Sequence, residues 1–75
     1  MSASEQYVLV FPSIHDVIAA ERALQKAGLW CDMVPTPRQI SSDCGMAIRF
    51  DRHDTKSVAA TLEENRVPIN SIHDI

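Results

Sequence analysis

Seventy-five residues are enough for one domain and too few for two, so residues 1–75 are read as a single domain with a flexible stretch over 1–6. The formal net charge is −3, and the seven lysines and arginines are scattered, which excludes the basic stripe that nucleic-acid binding needs. No apolar run approaches the roughly 18 residues of a membrane span. Residues 1–6 are polar and resemble no signal peptide, so the cytoplasm is the expected compartment, where two cysteines stay reduced.

The run YVLVF over 7–11 is apolar at every position, the pattern of a strand central in its sheet, and Pro12 stops it. Ser13 then reads as an N-cap, with Asp16 three positions later as a capping-box variant. Val17, Ala20, Leu24 and Ala27 recur at helical spacing and form one apolar stripe, a core face and not a cofactor box. Glu21, Arg22, Gln25 and Lys26 fall largely outside it, and Gly28 is a natural stop.

A second strand is expected over 29–34, with Leu29, Cys31 and Met33 on one face and Trp30, Asp32 and Val34 on the other. Residues 35–44 (PTPRQISSDC) have no apolar period and read as a polar loop, with Ile40 its one anchor. The third strand, 46–50, alternates Met46, Ile48 and Phe50 with Ala47 and Arg49. A second helix is expected over 55–66 with Val58 and Leu62 inward. A last strand is expected over 67–72, at an edge because Pro68 has no donor for a ladder.

The order β-α-β-β-α-β with right-handed crossovers is the ferredoxin-like α+β plan. It is a two-layer sandwich with an antiparallel four-stranded sheet, order 4-1-3-2, and two helices on one face. The other face would show apolar residues of the first strand, which points to a homodimer or another protein partner there. In this plan the 35–44 loop lies at the same end as the start of the first helix and the end of the second. Cys44 is then expected near Ser13, Ile14 and His15.

That setting is suited to thiol chemistry. Free backbone N–H groups at a helix start stabilise a thiolate. His15 can accept a proton, Arg38 adds positive charge, and Ser41 and Ser42 supply hydroxyl donors. Gly45 lets the backbone approach the sulfur closely. Asp43 opposes them, because a neighbouring carboxylate raises a thiol pKa. Cys31, alternating with Leu29 and Met33, reads as a small core residue. His53 and His73 sit in acidic, exposed contexts, and Arg49 is either an interface or a solvent-facing residue. The thirteen-residue gap between Cys31 and Cys44 is no standard zinc spacing. Two glycines cannot build a phosphate loop, and no carboxylate pair suggests acid–base catalysis. Neither a metal nor a cofactor is expected.

The stretches YVLVFPSIHDVIAAERAL and PTPRQISSDCGMAIRF resemble a small bacterial family labelled selenium/sulfur carrier protein-like. The shared motifs are F-P-S-x-H-D before a helix and P-T-P-R-x-I-S-S-x-C-G before a strand. The resemblance implies a carrier that holds a persulfide or selenide on Cys44. Pro35, Thr36, Pro37, Arg38, Ser41, Ser42 and Gly45 would form its loop, and Ser13 and His15 match the first motif. A cysteine desulfurase or a selenium-donor enzyme is the implied partner, and a carrier is a co-substrate rather than an enzyme. Two other readings are a ligand-sensing or protein-interaction module, with the loop holding an anion, and a structural subunit of a larger complex.

Overall fold

The computed structural model describes residues 5–40 and 45–74. Its elements are β1 (Gln6–Val10), α1 (Ile14–Lys26), β2 (Cys31–Pro35), β3 (Met46–Asp51), a 3₁₀ turn (Arg52–Asp54), α2 (Thr55–Glu64) and β4 (Ser71–Asp74). The sheet order is β2-β3-β1-β4, and all three pairings are antiparallel. This is the ferredoxin-like arrangement expected from the chain order. The all-apolar β1 is central, flanked by β3 and β4. It begins one residue early: Gln6 opposes Asp51, and the Glu5 carbonyl accepts from the Arg52 N–H (2.9 Å), so these two residues are part of the sheet's end.

The alternation of side chains sorts the sheet into two faces. Leu9, Ile48 and Phe50 join Val17, Ala20, Leu24, Val58 and Leu62 of the helices in the main core, with Cys31, Met33 and Leu29 packed against it. Tyr7 meets Phe50 edge to face, with ring centroids 6.0 Å apart, a geometry aromatic pairs favour. The opposite face carries Val8, Val10 and Ala47, and here the expectation of an open apolar patch is corrected. All three are fully buried, and Val34 and Ile40 pack against them. The chain covers its own second face at this point, so exposed β1 side chains give no reason for a homodimer there.

Both helices end in the same hydrogen-bonded motif. In α1 the Leu29 N–H donates to the Leu24 carbonyl (2.9 Å) and the Gly28 N–H to Gln25 (3.0 Å), with Gly28 at φ 76°. In α2 the Val67 N–H donates to Leu62 (2.9 Å) and the Arg66 N–H to Glu63 (3.1 Å), with Arg66 at φ 56°. This is a Schellman cap, whose penultimate position takes a left-handed backbone that glycine adopts without penalty. An arginine there is strained. Arg66→Gly is expected to raise stability by about 1 kcal/mol. Thermal unfolding should show a midpoint roughly 4–8 °C higher. No increase would mean that Arg66 is held by interactions worth as much as the strain.

The cap also explains two boundary shifts. α2 stops at Glu64 and not at residue 66, because the chain turns left-handed at Arg66. Val67 then closes the cap from inside the core, 9 % exposed, and is not the first residue of a strand. The last strand therefore starts later than expected, at Ser71, and Pro68 lies in the connection before it. Strand β4 is at an edge, as expected, but Pro68 is not the reason.

Candidate functional site

The antiparallel ladders fix which loop ends share a pole. Val10 opposes Ala47 and Ser71, and Pro35 opposes Met46. The start of α1, both stems of the β2–β3 loop and the end of α2 are therefore at one end, as the topology requires. The 3₁₀ turn is at the other.

At this pole the α1 start is capped by Ser13. The Asp16 N–H donates to the Ser13 carbonyl (3.1 Å) and, at 3.4 Å, to Ser13 Oγ; the Ser13 hydroxyl donates to Asp16 Oδ2 (3.0 Å). The reciprocal pair is the expected capping-box variant. It commits the Ser13 proton to Asp16 and places a carboxylate at the positive end of the helix.

The loop stem is closed by the Thr36 N–H, which donates to the Gly45 carbonyl (3.0 Å) and extends the β2–β3 ladder by one step. A turn follows, with the Ile40 N–H donating to Pro37 (3.0 Å). Arg38 sits exposed in this turn, and Ile40 lies against Val8, Val10 and Ala47. The described part of the loop thus runs onto the sheet face away from the helices. His15 is exposed in the helix layer, on the other side of the sheet. Among the described residues, no hydrogen bond or ion pair joins Ser13 or His15 to Arg38 or Gly45. Gly45 is exposed, and no described atom lies within 4 Å of where its Cβ would be, so close packing does not demand glycine there. Ser41, Ser42, Asp43 and Cys44 lie outside the described residues.

Cys31 is a free thiol, partly buried, with its side chain toward the main core. Burial pushes its pKa above the ordinary value, and the nearby carboxylates Glu21 and Asp32 push the same way. Its thiolate is disfavoured, in line with a packing role.

Arg49 is neither free nor simply solvent-facing. Its Nη2 donates to Asp32 Oδ2 at 2.8 Å, and its guanidinium lies 5.6 Å from the centre of the half-exposed Trp30 ring. His73 Nε2 is 2.7 Å from Ser71 Oγ on β4. At the far pole Asp51, His53 and Asp54 bring ligand atoms within 4.8 Å of one another. The His53 side chain is 80 % exposed, and such surface groups are common without an ion.

Among the described residues, hollows of two kinds flank the helices. One, of about 170 Å³, is wholly apolar, lined by Leu9, Phe50, Val58, Ile69 and Ile72 between α2 and β4. The other, of about 380 Å³, lies between α1 and the end of α2 and brings His15 and Asn65 together. No helix among the described residues is long and apolar enough to cross a membrane.

The α1 start and the two stems of the β2–β3 loop thus fall at one pole of a ferredoxin-like sheet, and the family described as "Putative Se/S carrier protein-like" matches residues 6–74. The chain belongs to this family. The match takes in every strand and both helices, so the carrier-like family and the fold coincide over the same residues. No curated protein and no solved structure shows significant similarity to the chain.

Proposed function

We infer that the chain is a sulfur or selenium carrier, not an enzyme in its own right, and that Cys44 is the carrying residue. The family match over residues 6–74 is the observation that carries this reading. The choice of thiol follows by elimination. The chain has two cysteines, and Cys31 packs against the core with a disfavoured thiolate. Cys44, in the polar sequence between Ile40 and Gly45, is the other.

The step is a sulfane-sulfur exchange. The Cys44 thiolate attacks the outer sulfur of a donor enzyme's cysteine persulfide. The donor's S–S bond breaks, its cysteine departs as a thiolate, and a new S–S bond forms on Cys44. The terminal proton passes with the transferred group or through solvent, and no outside oxidant is consumed. A thiolate is the required nucleophile, so loading should rise with the thiolate fraction. A cysteine desulfurase is the donor class that fits; a selenium-donor enzyme holding an S–Se⁻ group would load by the same displacement, the donor thiolate leaving and an S–Se bond forming on Cys44.

Incubation with a cysteine desulfurase and cysteine should add the mass of one sulfur atom to the intact chain, removable by a thiol reductant. No gain, under conditions that load an established carrier, would contradict the reading.

A further inference from the structure

We propose that the groove between α1 and the end of α2 is a docking surface for an acidic, partly apolar segment of a partner protein. His15, Arg22 and Lys26 are seven and four residues apart, spacings that place all three on one stripe of a helix with 3.6 residues per turn. All three line the groove and are exposed. Arg22 and Lys26 have no ion-pair partner among the described residues. Among the described residues no acidic side chain lines the groove, although the chain as a whole carries a net charge of −3. The stripe is thus a local reversal of the protein's charge, with its cations unspent.

The groove also offers apolar contact. Ala23 and Val67 form part of its floor, and Ile18 lines it at 39 % exposure. Ile14, one turn before Ile18, is 43 % exposed beside it. Large exposed aliphatic side chains next to a free basic stripe match a segment that presents carboxylates on one side and aliphatic groups on the other. The hollow is shallow and open along α1, so it suits a length of chain laid across it better than an enclosed small molecule. The proposal does not rest on Cys44 and stands whether or not that thiol carries sulfur.

The test is an NMR titration of the ¹⁵N-labelled chain with a synthetic amphipathic peptide bearing glutamates on one face and leucines on the other. Saturating amide shifts are expected at His15, Ile18, Arg22, Lys26 and Val67, weakening as salt rises. The same peptide with lysines for glutamates should leave these amides unmoved. The double variant R22E/K26E changes two exposed side chains, so a native-like spectrum is expected, with affinity reduced about tenfold. The proposal is overturned if the shifts centre elsewhere, or if acidic and basic peptides act alike. It is also overturned if inorganic phosphate alone produces the same shifts at the same concentration, which would make the groove a small-anion site.

Discussion

Cys44→Ser is expected to abolish sulfur loading, while Cys31→Ala loads as the unaltered chain does. A serine hydroxyl cannot hold a sulfane sulfur as a persulfide, so the first variant removes the only atom the proposed step builds on. The second removes a thiol that the fold keeps as a packing group. Cys31 stands opposite Phe50 on the β2–β3 ladder, with its thiolate disfavoured by burial and then by Glu21 and Asp32. Its loss costs core contact, on the order of 1 kcal/mol, and no chemistry. The raised pKa has two further consequences. Alkylation of Cys31 should be slow at neutral pH and quicken only at a pH above that at which an ordinary exposed thiol reacts. The folded state binds the Cys31 proton more tightly than the unfolded chain does. Its contribution is therefore intact below the ordinary thiol value and is lost as pH rises above it. Cys31→Ala should remove that alkaline loss. A C31A chain that fails to load, beside a C44S chain that still does, would reverse the assignment.

Phe50→Ala is expected to leave the chain largely unfolded at room temperature. Phe50 is fully buried on the central pair of the sheet, opposite Tyr7 on one side and Cys31 on the other. Removing a buried phenylalanine costs about 3–5 kcal/mol. Folded proteins hold about 5–15 kcal/mol in all, and a domain this small belongs at the lower end. The loss therefore approaches the whole. Trp30, larger but 47 % exposed, is the contrast. Trp30→Ala gives up its stacking with Arg49, about 0.5–1 kcal/mol, and should leave a folded chain. Urea unfolding followed by far-UV circular dichroism compares the two. Equal midpoints would mean that the core is not organised around the β1–β3 pair.

The elements legible in the sequence were those with strong local signals. The uninterrupted apolar run of β1 marked the centre of the sheet, and Ser13 with Asp16 marked the α1 start to the residue. The alternation in β2 and β3 sorted their faces correctly, down to Asp32 and Arg49 sharing the face away from the helices. β4 was misplaced because its own residues, SIHD, carry little apolar signal, whereas Val67, Pro68 and Ile69 before it look more like a strand. Val67 is apolar because it closes the α2 cap, a demand set by Leu62 five residues earlier.

Ile40 stood out as the loop's one apolar residue. Which face it anchors depends on the packing of Val8, Val10 and Ala47, which no local pattern records. Arg22 and Lys26 look scattered along the chain, and the helix brings them onto one stripe with His15. That it lines a groove depends on Asn65 and Val67 arriving from the far end of α2.

Trypsin separates the two thiols. Cleavage after Lys26, Arg38 and Arg49 leaves Cys31 on the peptide 27–38 and Cys44 on the peptide 39–49. The chain is loaded with a cysteine desulfurase and cysteine, capped with an alkylating reagent, digested and mapped by mass spectrometry. The expected result is one extra sulfur on 39–49 and none on 27–38. Extra sulfur on 27–38, or on neither peptide while an established carrier loads in the same mixture, would contradict the assignment of Cys44 as the carrier.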